Sequence, residues 1–333
     1  IEEFDALLRK YKGIVDTIPA FEAVVARLQK ILETKDYAGK EAFQAAVDRI
    51  AGYIENGTAD QILNVAEEAE AVIRDYIFSQ VATPETPADY TLLIKNPWFV
   101  KPAAEPMLDD YGQYVYENGD SYSVGSGSNE DQTSEGWYIS GSEGGDQRLN
   151  YQQGRTCWNA WNNNFTSVIG VAQDLENLPN GYYKVTADLI TQASCANDQH
   201  VFAKSTAEKT ISAYLQEENW DMGDWSTLTT TEAALVVDGK LTIGAEGTGT
   251  GEGAKGWFLV TNFRLEFLGA ADEAAGYLSK VKDCPEKTMN EGLVAWLKGD
   301  TATAKQLVEE ARQKGVKEAV RQLEEFGKLK QKQ

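Results

Sequence analysis

The feature that most constrains this chain is a change in the period of its apolar residues. They recur every three or four positions through residues 1–82, alternate by twos in the middle, and return to the longer spacing after 270. A helix brings every third and fourth side chain onto one face, whereas a strand sends successive side chains to opposite faces. The order is therefore helix, sheet, helix.

In the first segment Phe4, Leu7, Leu8 and Tyr11, then Val24, Leu28, Ile31 and Leu32, trace amphipathic stripes. Pro19 predicts the start of a helix, because proline lacks the amide that a continuing helix needs. Gly57 predicts a helix end, and Ile62, Val65, Ala69, Val72, Ile73, Tyr76 and Ile77 make a further stripe. Thr83-Pro84-Glu85-Thr86-Pro87 marks a linker over 83–89. Seven of the eight tryptophans and most glycine-rich stretches lie between 98 and 257. Tyr183, Val185, Ala187 and Leu189 alternate with polar residues. Leu235 to Ile243 reads as a hairpin around Asp238-Gly239. Trp257, Leu259, Thr261, Phe263, Leu265 and Phe267 read as one unbroken alternation, with Trp257 in the core. Short strands with no helix between them predict an antiparallel β-sandwich of eight or nine strands over 90–269. Leu278, Leu293, Leu297, Ala304 and Val308 carry the helical period of 270–333, with Asp300 as an N-cap. The fold class is multi-domain α and β, a sandwich between two helical segments. Mutual burial of their apolar faces would join 1–82 and 270–333 as one bundle.

The chain's 31 Lys and Arg against 52 Asp and Glu leave a formal charge of −21 over 333 residues. Such a surface repels phosphate backbones, so nucleic acid is not an expected partner. No run of about 18 apolar residues occurs, so membrane insertion is not expected. The chain opens at Ile1 within a helical pattern, as a mature form or excised fragment would, without a visible signal peptide. The single histidine, His200, excludes a two-imidazole relay and reads as a partly buried structural residue. Cys157, Cys195 and Cys284 have no metal-binding spacing. Isolated thiols are the simpler reading, with a Cys157–Cys195 bridge as the alternative.

No nucleophile, zinc-hydrolase, dinucleotide or phosphate-loop motif is present. Gly247 to Gly251 reads as a flexible loop between strands. Asn129, Glu130, Asp131, Glu135, Asp146, Asp109 and Asp110 offer hard oxygens of the kind that suit Ca²⁺. Their spacing matches no EF-hand, so solvated loop charges are the default and no cofactor is implied. Asn56 and Asn164 sit in glycosylation acceptor triplets. The chemistry-bearing cluster is aromatic and amide. Trp158 and Trp161 lie among Asn159, Asn162 and Asn163. An indole covers the apolar face of a sugar, while amides both donate to and accept from its hydroxyls. Trp137 with Tyr138, and Trp220 with Trp225, form further aromatic sets. These residues point to a neutral glycan.

Three segments taken together resemble a known family. They are Trp158-Asn159-Ala160-Trp161-Asn162; Gln173 through Leu178-Pro179-Asn180-Gly181-Tyr182 to Val185; and Gly256-Trp257 through Asn262-Phe263-Arg264-Leu265 to Gly269. Asn96-Pro97-Trp98-Phe99 and Gly136-Trp137 precede them in the expected order. The resemblance is to galactose-binding-like jelly-roll modules, akin to carbohydrate-binding modules, of secreted and surface proteins of Bacteroidetes. It covers about 90–269. Thr261 replaces the usual Asp before the closing Asn-Phe, and Trp98 stands where an acidic residue is common. The resemblance implies a secreted or cell-surface, non-catalytic glycan-binding protein. The alternatives are a structural or adhesive module that binds a protein and, last, a glycan-active enzyme.

Overall fold

The computed structural model describes residues 2–99, 107–108, 114–115, 136–141, 146–152, 155–162, 168–191, 198–215, 224–247, 256–270, 278 and 282–330. These residues divide into two compact units. One holds 1–81 with 105–117, and the other holds 82–104 with 118–333.

The first unit contains α1 (Glu2–Thr34), α2 (Lys40–Ala51), α3 (Tyr53–Asn56), α4 (Ala59–Leu63) and α5 (Val65–Phe78). Its core joins Leu28 and Ile31 to Phe43, Val47 and Ile50, and to Ala69, Ile73 and Ile77. Tyr76 stacks on Phe43 with ring centroids 4.3 Å apart. Its hydroxyl accepts from the Tyr37 amide and donates to the Lys35 carbonyl, closing the α1–α2 turn. Pro19 lies inside α1 rather than at its start. Proline removes only one ladder bond, and the buried Phe21, Leu28 and Ile31 hold the turns that follow it.

The sandwich begins with β1 (Ala88–Asp89). Next in the chain is a short pair, β2 (Met107–Leu108) and β3 (Tyr114–Val115), which groups with the helical unit although the sequence places it within 90–269. Then come β4 (Trp137–Ile139), β5 (Asp146–Gln152), β6 (Arg155–Asn162), β7 (Ile169–Leu175) and β8 (Gly181–Thr191). They are followed by β9 (His200–Lys204), β10 (Lys209–Ile211), β11 (Ser226–Thr229), β12 (Ala234–Val236), β13 (Leu241–Gly247) and β14 (Gly256–Ala270). Among the described residues they form a seven-stranded sheet ordered β11-β8-β14-β6-β5, with β1 and β12 at its side, and a five-stranded sheet ordered β10-β9-β13-β7-β4. All the pairings are antiparallel.

The turn that reads as a hairpin in sequence, and one other, are crossovers between the sheets. Asp238-Gly239 links β12, which pairs with β8, to β13, which pairs with β7 and β9. The Leu178-Pro179 segment likewise carries the chain from β7 to β8. The Asp-Gly signal identified a tight left-handed turn correctly, since Gly239 has φ +71°. A turn residue does not dictate that its flanking strands pair. Leu178 donates its amide to the Gly239 carbonyl, and Gly239 donates to Asn180 Oδ1, so the two crossovers are tied together. The Tyr183 hydroxyl closes the Leu178-Pro179 crossover by donating to the Pro179 carbonyl at 2.6 Å.

The chain ends in α6 (Pro285–Leu297), α7 (Thr301–Gln313) and α8 (Glu318–Lys330). Asp300 caps α7 as expected, accepting from the Thr303 amide. The buried residues Met289, Leu293, Val308, Ala319 and Phe326 of these helices pack with Tyr182, Ala207, Leu235 and Leu268 of the sandwich. The sandwich thus covers part of the apolar stripe that these helices carry.

Candidate functional site

Strand parity separates the residues of the aromatic-amide cluster. In β6, Trp158 and Ala160 face the other sheet and Cys157, Asn159 and Trp161 face outward, in register with Trp257 and Leu259 of β14. Trp158 is fully buried against Phe258, so it is a core residue and not a sugar-stacking one. Asn159 is buried as well, and its Oδ1 accepts from Trp257 Nε1 at 3.1 Å, so that oxygen is committed to the protein. Trp161 remains 39% exposed. Asn162 ends β6, with a side chain outside the described set, and Asn163 lies outside the described residues. Trp137 is also a core residue rather than a platform. It packs on Phe99 and Phe263, and its Nε1 donates to the Lys95 and Asn96 carbonyls. Its neighbour Tyr138 is exposed on the opposite sheet and donates its hydroxyl to Asp174 Oδ1 at 3.0 Å. Burial, and then this bond, push the Tyr138 phenol up to about 12.

The outward face of the seven-stranded sheet therefore carries the aromatic surface. Cys157, Ile190, Trp257 and Leu259 form a small apolar cluster there, and Trp225 packs on it. Trp257 is buried as predicted, but in this cluster and not with Phe263. A β-bulge between Thr261 and Arg264 inserts an extra residue. The faces shift at that point, so Phe263 and Leu265 turn inward while Trp257 and Leu259 look out. Asn262 takes a left-handed φ of 56° at the bulge.

The bulge also builds a polar centre that sequence reasoning missed. Asp188 of β8 is 4% exposed. Its Oδ1 accepts from Thr227 Oγ1 at 2.7 Å and the Arg264 guanidinium at 3.1 Å. Its Oδ2 accepts from the Arg155 guanidinium at 2.6 Å and Asn262 Nδ2 at 2.8 Å. One carboxylate thus binds four side chains from three strands, β6, β11 and β14, and two cations meet one anion. Arg155 lies over the Trp225 ring at 5.2 Å. In sequence Asp188 is one more residue on the polar face of an alternating strand, and its partners are 33 to 76 residues away.

On the five-stranded sheet, a cleft of about 420 Å³ is lined by Asp174, Lys204, Lys240, Thr242, Arg321 and Glu325. Several of its polar groups are spent internally. Asp174 Oδ1 takes Tyr138 and Thr242, and Arg321 donates to the Ser205 and Thr206 carbonyls. His200 is buried as expected, with Nδ1 2.7 Å from the Asp198 carbonyl and Nε2 3.3 Å from Glu246. Cys157 is buried, and Cys195 lies outside the described residues. So do Trp220 and the acidic loop positions Asp109, Asp110, Asn129, Glu130, Asp131 and Glu135. Among the described residues no three His, Cys, Asp or Glu side chains group so as to hold a metal ion. No described helix is long and apolar enough to cross a membrane.

No family model matches the chain, and no curated protein does. Among solved structures, the chain is similar to the module TmCBM61 in complex with β-1,4-galactotriose, at 16% identity over 39% of this chain and 88% of that one, TM-score 0.28. It is similar to the CBM22-1 xylan-binding domain of Paenibacillus barcinonensis Xyn10C at 14% identity, covering 45% and 97%, TM-score 0.29. It is also similar to the Stig cyclase Fisc of Fischerella sp. TAU at 13% identity, covering 53% and 96%, TM-score 0.32.

Proposed function

We propose that the chain is a non-catalytic glycan-binding protein of galactose-binding-like jelly-roll lineage, acting outside the cell or at its surface. It would take sugar on the outward face of the seven-stranded sheet. The observation that supports this most directly is the exposed Trp161 indole, held beside the buried Trp257 by strand register, with Trp225 and Arg155 on the same face. A rigid sheet presenting flat rings beside hydrogen-bonding groups suits a sugar ring, which has apolar faces and a polar rim. The non-catalytic reading draws support from Asp188. Each oxygen of this carboxylate is engaged twice, including by two guanidinium groups, so it serves the sheet rather than proton transfer.

The test is titration calorimetry of the whole chain against soluble oligosaccharides. Trp161→Ala is expected to weaken binding by about 1–3 kcal/mol while leaving the melting temperature almost unchanged. Trp225→Ala should weaken it similarly with some loss of stability, because that ring also packs on the apolar cluster and on Arg155. Trp158→Ala serves as the contrast, with an expected stability loss of roughly 3–5 kcal/mol. Unchanged affinity in both surface variants would remove the proposed face, and binding of a protein partner in place of any glycan would favour the adhesive alternative.

A further inference from the structure

We infer that the glycan taken by this face is acidic, a uronate-bearing chain whose carboxylate is received by Arg155. The inference rests on the glycan-binding reading. The neutral-sugar expectation came from Asn159, Asn162 and Asn163, yet the first of these is buried with its oxygen committed to Trp257, and the other two contribute no described side chain. Among the described side chains this face presents the Arg155 guanidinium, 41% exposed.

Arg155 is held at two points. One N–H is given to Asp188 Oδ2 at 2.6 Å, and the ring of Trp225 lies against the guanidinium plane at 5.2 Å. The remaining N–H groups make no other hydrogen bond among the described residues, and the side chain is 41% exposed. A guanidinium fixed in this way has paid its ordering entropy and offers a planar edge that matches the two oxygens of a carboxylate. Asp188 does not quench it. That carboxylate is shared with Arg264, so the centre carries two positive charges against one negative. Arg264 Nε is itself buried without a partner, so its charge is left partly unanswered by the protein. The Trp225 ring lies alongside. The exposed Trp161 stands towards the other end of β6, on the order of 20 Å away. The two would hold pyranose rings of an extended chain while the arginine reads the carboxylate. The attraction is local, because the chain as a whole carries a charge of −21.

The experiment compares two ligands that differ only at C6. Titration calorimetry would use α-1,4-trigalacturonate and α-1,4-galactotriose against the parent chain, Arg155→Gln and Arg155→Lys. The parent is expected to bind the uronate at least about tenfold more tightly than the neutral sugar. Arg155→Gln should abolish that preference, lowering uronate affinity far more than neutral-sugar affinity. Arg155→Lys, which keeps the charge but loses the fork, should restore only part of it. Equal affinity of the parent for both ligands would overturn the acidic assignment and leave the glycan-binding reading standing. A preference that survives in Arg155→Gln would overturn the role of Arg155. Failure to bind either sugar would overturn both readings. The parent comparison needs no variant, so it decides the matter even if Arg155→Gln does not fold.

Discussion

Glu208→Gln should stabilise the sandwich unit at alkaline pH, and the gain should vanish in acid. Glu208 follows the tight turn at Ser205 and lies buried where the C-terminal helices meet the sheet. It accepts from the Leu235 amide at 2.8 Å and from the Asn290 side chain. Removal from water outweighs these bonds and pushes its carboxyl up from 4.5 to about 7. The folded state then holds a proton that the unfolded state has already released. Stability therefore falls as pH rises from about 4.5 to about 7 and stays low above that. A rise of that size corresponds to roughly 3 kcal/mol at pH 8. Glutamine has the same shape, keeps an oxygen for Leu235, and adds donors beside Asn290 Oδ1, which is buried without a partner. All eight tryptophans lie in this unit, so intrinsic fluorescence reports its unfolding. Urea denaturation at pH 5 and pH 8 should give similar stabilities for parent and variant at the lower pH and a clear gain for the variant at the higher one. A variant less stable at pH 8, or a difference independent of pH, would refute the reasoning.

Asp188→Asn should destabilise the same unit by about 2 kcal/mol or more, less than the 3–5 typical of a fully enclosed pair because both arginines reach solvent; urea denaturation at neutral pH measures it, and a loss near zero would deny the carboxylate its central place. Burial works against the charge of Glu246, but hydrogen bonds from His200 and Lys209 outweigh it and hold the group below the usual carboxylate range. Its contribution is present above about pH 4.5 and lost as pH falls through the lowered value, so Glu246→Gln should flatten the acid limb of a thermal-melting profile; an unchanged limb would count against the triad.

The switch of period was legible because it reflects backbone geometry, which every residue obeys. Trp158 and Trp161 show where that legibility stopped. They stand three residues apart, and in a strand an odd separation sends two side chains to opposite faces, so only one could join a surface platform. Residue chemistry was read ahead of parity. The bulge at 261–264 was hidden for the opposite reason, since an apolar alternation reads straight through an inserted residue when both faces have cover. Arg155, Arg264 and Asp188 each look like an ordinary outward charge, and only sheet order brings them together. The C-terminal helices advertised an apolar stripe but not what covers it, because amphipathicity specifies a need and not a partner.

The placement of β14 bears on how the protein comes off the ribosome. This strand, residues 256–270, lies between β8 and β6 and gives each its inner neighbour. Until it is synthesised, both strands present open edges, and β8 is buried along nearly its whole length in the finished sandwich. The nascent chain must carry those edges until residues 256–270 emerge, and the pairings that close them join strands distant in sequence, which slows folding. A chain halted before residue 256 would be a template for aggregation rather than a smaller sandwich. The last strand of the sheet is thus the step that commits everything before it.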